Sequence, residues 1–200
     1  KESRKPIAHQ PPLSLPPSPP SPRPYVETWA DGLQVLRYNE SKAYISHLDY
    51  LEGNPQLDHD FDSGKEGGTN RFATVLLYLT DVEQGGETVF PYGQKLEGET
   101  LSREEASAKA KVLGLTAALQ PGSWQEAMMG ECINKLAVQP KKARAVLFYS
   151  QKEDGSVDER SLHGACPVVK GVKWAANLWV WNGPRYGYNP RQRGKALAAA

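Results

Sequence analysis

The sequence predicts a mainly β domain, a sandwich or barrel of short strands with helical decoration. Two observations predict it. Short apolar runs rich in β-branched and aromatic residues recur from residue 33 onward, and only one segment carries clear helix signals. The 200 residues suffice for one domain with a sizeable core. With 24 Lys and Arg against 23 Asp and Glu, the charge balance does not indicate a nucleic-acid or membrane-surface binder.

The chain begins with a Pro-rich segment, residues 1–24, whose centre reads PPSPPSP. Proline fixes φ and lacks an amide donor, so we expect an extended polyproline II tail. Such a tail is a spacer or a ligand for a proline-reading site. Residues 25–183 form the predicted domain, and residues 184–200 a basic C-terminal tail. Because the sequence starts at Lys1 rather than Met, we expect any targeting or anchoring segment to lie upstream.

The first predicted strands are residues 33–38 and 43–45, separated by a turn. Residues 51–70 are rich in Gly, Asn, Pro and Asp and predict a loop. The most apolar run, residues 71–79, predicts a buried strand, and Gly85-Gly86 interrupts the chain after it.

One helix is predicted at residues 101–119. Ser102 and Glu105 form the sequence pattern of a capping box, and Pro121-Gly122 ends the segment. Three further strands are predicted at residues 135–138, 145–149 and 173–181. The two cysteines, Cys132 and Cys166, lack zinc-site spacing and are either one disulfide or two buried thiols.

A His-x-Asp pair, His47 and Asp49, lies near the second predicted strand. Residues two apart on a strand point to the same face, so both side chains can reach one point. His163 is far along the chain but is flanked by short loops that could return it to this pair. Two imidazoles and one carboxylate are the ligand set of non-haem Fe(II) oxygenases. A competing cluster lies in the loop: Asp58, His59 and Asp60.

Lys173 follows His163 by ten residues. If His163 ends one strand and Lys173 enters the next, with a turn at Gly171, the ammonium faces the same cavity as the metal ligands. A buried lysine is costly without a partner, which an anionic ligand would supply. The alternative is an exposed lysine at a strand end.

Several stretches then agree, in order, with one family. They are 33–38 (LQVLRY), 44–50 (YISHLDY), 71–79 (RFATVLLYL), 85–91 (GGETVFP), 136–142 (LAVQPKK), 161–168 (SLHGACPV) and 171–174 (GVKW). Together they resemble the prolyl 4-hydroxylases of the 2-oxoglutarate dioxygenase superfamily, particularly the soluble plant and green-algal type. Against that pattern, residues 92–134 form an insertion, and Lys142-Ala143-Arg144 replaces a Lys-Gly-Asp turn.

The resemblance implies a double-stranded β-helix, or jelly roll, that hydroxylates peptidyl proline in proline-rich or collagen-like substrates. It implies Fe(II), 2-oxoglutarate and L-ascorbate as cofactors, and a secretory location in the endoplasmic reticulum or Golgi. The implied roles are iron ligation by His47, Asp49 and His163, binding of the distal carboxylate of 2-oxoglutarate by Lys173, co-substrate contacts by Tyr38 and Thr88, and peptide contacts by Tyr44, Arg71 and Trp179.

Three alternatives remain open at this point. The same fold and cofactors can serve another acceptor, such as a lysyl side chain, a free amino acid or a nucleobase. A catalytically silent module that binds proline-rich peptides is a second reading, and a structural cell-wall component, suggested only by the tail, is a third. The sequence does not predict an oligomeric state.

Overall fold

The computed structural model describes residues 29–51, 70–95, 98 and 100–183. The predicted tails at 1–24 and 184–200 lie outside the described residues. So do most of the predicted loop at 51–70 and the competing cluster of Asp58, His59 and Asp60 within it.

Short antiparallel strands and a pair of helices make up the described part of the chain. The strands are β1 (Gln34–Tyr38), β2 (Tyr44–His47), β3 (Arg71–Tyr78), β4 (Gln84–Gly85), β5 (Thr88–Phe90), β6 (Leu136–Val138), β7 (Ala145–Tyr149), β8 (His163–Ala165), β9 (Val168–Lys170) and β10 (Lys173–Trp181). The helices are α1 (Arg103–Val112) and α2 (Trp124–Asn134).

Two four-stranded sheets carry the architecture. One has the order β1-β10-β3-β7 and the other β2-β8-β5-β6, while β4 and β9 form a small pair. Every pairing is antiparallel. The order is not sequential, so the strands of each sheet come from distant parts of the chain. This arrangement confirms the predicted mainly β jelly roll with flanking helices.

Side-chain alternation shows which face of the β1-β10-β3-β7 sheet is solvated and which borders a cavity. In β7 exposed and half-buried residues alternate along the strand, as expected for a sheet with one solvated face. In β10, the alternate residues Lys173, Ala175, Asn177 and Trp179 share one face, and that face borders a cavity between the two large sheets. The central position of β10, between β1 and β3, fixes this face firmly.

The helical prediction was wrong in extent and in number. α1 begins where expected, with the reciprocal Ser102–Glu105 capping box formed, but it ends at Val112 rather than at residue 119. Gly114 follows with a φ of 70°, a left-handed conformation that glycine adopts without steric cost and that stops a helix.

A second helix, α2, was not predicted. Its Ser123 side chain accepts a hydrogen bond from the amide of Glu126 at 3.3 Å. The Glu126 carboxylate in turn accepts from the amide of Gly122 at 2.7 Å. This Ser-x-x-Glu signature was present in the sequence, but Gly130 in the middle of the helix and a weak apolar periodicity concealed it.

The two helices pack on the β2-β8-β5-β6 sheet through an apolar cluster. Its buried members are Val89, Ala110, Met128, Met129, Cys132 and Cys166. Cys132 and Cys166 form a disulfide, which settles the alternative left open by the sequence. Neither described helix is long and apolar enough to cross a membrane.

Candidate active site

A cavity of about 460 Å³ lies between the two large sheets. All nine residues to which the sequence assigned a role line this one cavity, although they span much of the chain. They are Tyr38, Tyr44, His47, Asp49, Arg71, Thr88, His163, Lys173 and Trp179. The structure therefore brings the predicted site together in one place.

The register of β2 and β8 brings the two imidazoles together. His47, the last residue of β2, lies directly opposite His163, the first residue of β8. The ring centroids are 4.5 Å apart. His163 thus begins a strand rather than ending one, which corrects the expectation from sequence. A three-residue strand is too short to be recognised from its pattern.

Asp49 joins the histidines by a different route from the one predicted. It lies in a bend after β2 rather than on the strand, so strand alternation does not explain its direction. Its Oδ1 lies 3.5 Å from His47 Nε2, and its Oδ2 lies 3.8 Å from His163 Nε2. One ligand atom from each of the three residues falls within 4.8 Å of the others, a spacing that can hold a metal ion.

Backbone hydrogen bonds select the imidazole nitrogen that faces the cluster. His47 Nδ1 lies 2.9 Å from the carbonyl oxygen of Ile45, and His163 Nδ1 lies 2.9 Å from that of Ser161. Because a carbonyl only accepts, each Nδ1 donates, and in the neutral ring Nε2 carries a lone pair. Two lone pairs and a carboxylate then converge, an arrangement that a divalent cation relieves.

The pKa values in the cluster reflect burial and mutual attraction. Burial alone would raise the pKa of Asp49, but the adjacent His47 and His163 rings and the hydrogen bond from Thr74 hold it well below its usual value. Burial lowers the pKa of His163. Burial also acts to lower the pKa of His47, but Asp49 and the hydrogen bond to the Ile45 carbonyl together outweigh it and raise that pKa. Asp49 is therefore ionised and His163 neutral at pH 7, the forms that bind metal.

Lys173 lies in the same cavity and is only 2% exposed. Its Nζ lies 5.4 Å from the ring centroids of both Tyr38 and Tyr78. Burial lowers the pKa of Lys173 to about 8, with a weaker opposing attraction from Glu87. Within the described residues it makes no direct ion pair. The prediction of a buried lysine is confirmed, and the alternative of an exposed strand end is wrong.

Tyr38 and Thr88 lie beside the lysine. Tyr38 is paired directly with Lys173 across β1 and β10. Thr88 is 2% exposed, and its Oγ1 accepts a hydrogen bond of 2.7 Å from the Tyr78 hydroxyl. The same Tyr78 hydroxyl lies 3.2 Å from the carbonyl oxygen of Val138, so Tyr78 ties Thr88 to the backbone of β6. Burial raises the pKa of Tyr78 to about 12, so Tyr78 stays a donor at every physiological pH.

An aromatic and cationic rim surrounds the cluster. Tyr44 is 50% exposed and presents its ring edge to His47, with centroids 4.7 Å apart. The guanidinium of Arg71 stacks on the Trp179 ring at 3.8 Å. The Trp179 indole N–H makes no hydrogen bond of good geometry with any residue that the structure describes, yet it lies close enough to Asp49 to lower the pKa of that carboxyl.

Sequence reasoning missed the residues that orient the predicted ones. The Thr74 hydroxyl donates a 2.6 Å hydrogen bond to Asp49 Oδ2. Tyr78 positions Thr88, and Asn177 adds a polar group to the cavity wall. The available signal was weak: each is a polar residue at a position within an apolar strand where burial demands a partner.

The family model described as the 2OG-Fe(II) oxygenase superfamily matches residues 33–181. Prolyl 4-hydroxylase 2 of Arabidopsis thaliana is 38% identical over 151 residues, covering 75% of this chain and 41% of that relative. Prolyl 4-hydroxylase 5 of the same plant is 40% identical over 150 residues, covering 74% and 41%. The chain thus spans less than half the length of these relatives.

Among solved structures, the viral collagen prolyl hydroxylase of Paramecium bursaria Chlorella virus 1, in complex with 2OG, is 22% identical. The match covers 76% of this chain and 58% of that one, with a TM-score of 0.45. A prolyl hydroxylase from Trichoplax adhaerens, in complex with a peptide fragment, is 17% identical with a TM-score of 0.39.

Proposed function

This chain belongs to the 2OG-Fe(II) oxygenase superfamily, and we propose that it hydroxylates peptidyl proline to 4-hydroxyproline with Fe(II) as cofactor, dioxygen and 2-oxoglutarate as co-substrates, and succinate and CO₂ as by-products. One observation carries the proposal. A two-histidine, one-carboxylate cluster and a buried lysine with no direct ion pair among the described residues share one cavity.

The donor set fits ferrous iron. His47, Asp49 and His163 would hold the ion through the two Nε2 atoms and one carboxylate oxygen, which leaves other positions open for co-substrate and dioxygen. Bound iron supplies dioxygen activation, which no side chain can perform. The protein residues supply geometry: the carbonyls of Ile45 and Ser161 fix the ring tautomers, and Thr74 fixes the carboxylate.

Lys173 is the proposed partner of the far carboxylate of 2-oxoglutarate. A buried ammonium without a direct partner attracts an anion strongly, and a charge-assisted bond is about twice as strong as a neutral one. The hydroxyl of Thr88 and the phenol of Tyr38 are two further polar groups that line the same cavity. The co-substrate would thus be held at one end by the lysine and at the other beside the metal ligands.

The proposed acceptor is a prolyl residue in an extended peptide. The support is the similarity to plant prolyl 4-hydroxylases together with the rim of the cavity. The half-exposed Tyr44 and the stacked Arg71–Trp179 pair offer flat apolar faces to a pyrrolidine ring, and the Arg71 guanidinium adds donors for peptide carbonyls. Pro- and Ser-rich segments, like the chain's own residues 16–22, and collagen-like repeats are the proposed substrate classes.

Two further features belong to the proposal. L-ascorbate would restore iron oxidised in turnovers that proceed without peptide. A secretory location fits the Cys132–Cys166 disulfide, because such bonds persist in oxidising compartments.

The test is succinate release from labelled 2-oxoglutarate with Fe(II), ascorbate and a Ser-Pro-rich peptide. We expect peptide-dependent release by the wild-type chain and none by His163→Ala. Ser102→Ala, which removes the α1 cap far from the cavity, is the matched control and should keep full activity. Peptide binding without succinate would favour the silent module. Turnover with lysyl or free amino acid acceptors instead would keep the chemistry and replace the substrate.

A further inference from the structure

Strand β8 presents different residues to its two sides. All three residues of the strand border the cavity, Gly164 through its backbone, but a β-carbon on Gly164 would point at Met128 of helix α2, and Cys166, the next residue after the strand, is bonded to Cys132 of the same helix. The strand has three residues, and a short 3-10 turn, Glu159–Ser161, precedes it. Little in its own length fixes the position of His163, so its position depends on neighbouring elements.

Helix α2 contacts the rear of β8 at two points. A β-carbon built on Gly164 would lie 2.5 Å from Met128 Cε, so the methionine side chain rests directly against the backbone of that glycine. One helical turn later, Cys132 is bonded to Cys166. Residues four apart on a helix share a face, as do residues two apart on a strand. The two contacts therefore lie side by side.

The helix that makes these contacts is itself anchored at both ends and along one side. Ser123 caps its start, and near its end the Asn134 side chain exchanges hydrogen bonds of 2.8 and 2.7 Å with the backbone of Leu101. Gly130 lets α1 approach closely, since a β-carbon there would lie 3.1 Å from Ser107 Oγ. Because α2 is anchored independently of β8, its contacts can hold β8 in place.

We propose that Met128 and the Cys132–Cys166 disulfide, together called the α2 brace, position His163 for metal binding. The inference rests on the proposed iron site and deepens it. The insertion that supplies α2 is then part of the iron-binding apparatus, although none of its described residues is a candidate ligand or lines the cavity. Met128, Cys132 and Cys166 are positioning residues that act on His163 through the backbone of β8.

The brace predicts an effect on metal affinity separate from an effect on folding. Loss of support behind a metal ligand typically weakens binding about tenfold or more, so Cys132→Ala/Cys166→Ala should raise the dissociation constant for Co(II) by about tenfold. Met128→Ala, with the disulfide intact, should shift it in the same direction. Co(II) serves as a redox-stable probe for Fe(II), and its absorption reports ligand geometry directly.

The matched control is Leu115→Ala. Leu115 packs on the same apolar cluster as Met128, so its truncation removes comparable bulk, but it is not among the atoms packed on Gly164. We expect Leu115→Ala to lower thermal stability and leave Co(II) affinity and absorption unchanged. Titrations are made well below the unfolding temperature of each variant, so that only folded protein is compared.

The outcomes separate the two proposals. If the wild type fails to bind Co(II), or His163→Ala binds it equally well, the iron site itself is wrong. If the wild type binds and His163→Ala does not, the brace is tested alone. A dissociation constant for Met128→Ala equal to that of Leu115→Ala would then overturn it. Should the double cysteine variant fail to fold, Met128→Ala decides the question.

Discussion

The two faces of β8 differ in what they contribute. Toward the cavity, His163 meets a carboxylate and a second imidazole, and Lys173 is buried nearby without a direct partner among the described residues. Toward α2, Gly164 contacts Met128, and Cys166, just after the strand, is bonded to Cys132 within an apolar cluster. The first face concentrates charge at a cost in stability, and the second supplies packing. Alternate residues of one short strand therefore separate binding from folding.

The largest expected effect comes from removing the charge on the cavity side. Lys173→Met should raise the KM for 2-oxoglutarate about 10- to 100-fold, the range expected for a lost charged hydrogen bond. Thermal stability should stay equal or rise, because an apolar side chain of similar length needs no desolvation of an ammonium. Succinate assays and thermal denaturation on the same samples measure both quantities.

The control for this substitution is Lys170→Met. Lys170 lies three residues earlier, is 66% exposed and pairs with Glu83 at 2.7 Å on the surface. Exposed ion pairs contribute little, so neither KM nor stability should change appreciably. An unchanged KM in Lys173→Met would remove this lysine from the co-substrate site and leave its burial unexplained.

The pH dependence of 2-oxoglutarate affinity and of stability tests the opposing effects of the Lys173 charge on binding and on folding. Burial lowers the pKa of Lys173 to about 8, so the free site loses its positive charge as the pH rises through that value. The affinity for 2-oxoglutarate should fall above pH 8. The free energy of unfolding should instead rise with pH between pH 8 and 10.5, because the unfolded chain binds the proton of Lys173 more tightly than the folded chain does.

Lys173→Arg tests whether Lys173 is the group that causes the pH dependence of 2-oxoglutarate binding. A guanidinium stays charged throughout this range, so a variant that still binds 2-oxoglutarate should bind it independently of pH up to about pH 10. A wild-type KM that is flat across the interval would show that the co-substrate does not depend on the protonation of Lys173.

The chemistry of the cavity was more predictable from sequence than the packing behind it. Two histidines and one carboxylate match the ligand set of Fe(II) oxygenases, but His47-x-Asp49 and Lys173 are each weak signals alone, and the ordered agreement of several stretches with one family assigned their roles. Their convergence depends on non-local pairing, above all His47 opposite His163, which the family resemblance implied but local patterns do not encode. The sequence was therefore right about which residues meet and wrong about how Asp49 is placed.

The brace was beyond local pattern reading. α2 has little apolar periodicity and a central glycine, both of which argue against a helix in the sequence. Gly130 is there because close packing against Ser107 leaves no room for a side chain. Strands such as β5 and β8 are three residues long, too short to show alternation. Whether Cys132 and Cys166 were bonded depended on a distance in space, and their separation of 34 positions along the chain gave no information about it.

A smaller effect is expected at the start of α1, on the packing side. Ser102→Ala removes an N-cap and should lower the free energy of unfolding by about 1 kcal/mol. Succinate turnover and Co(II) affinity should be unchanged, because Ser102 does not line the cavity and is not part of the α2 brace. Glu105→Gln keeps the capping-box pattern and should cost less in urea denaturation. A loss of turnover in Ser102→Ala at constant folded fraction would extend the positioning role to α1.

The smallest effect concerns the turn that departs from the family pattern. Ala143 has a φ of 65°, and its amide donates a 3.0 Å hydrogen bond to the carbonyl of Tyr78, so the turn cannot relax freely. An L-residue pays roughly 1–2 kcal/mol in this conformation, while glycine loses about 0.5–1 kcal/mol more in chain entropy. Ala143→Gly should therefore stabilise the fold by about 0.5 kcal/mol without altering KM. The same change two residues later, Ala145→Gly on β7, should destabilise it, and urea denaturation of the pair shows whether backbone conformation or side-chain loss governs this turn.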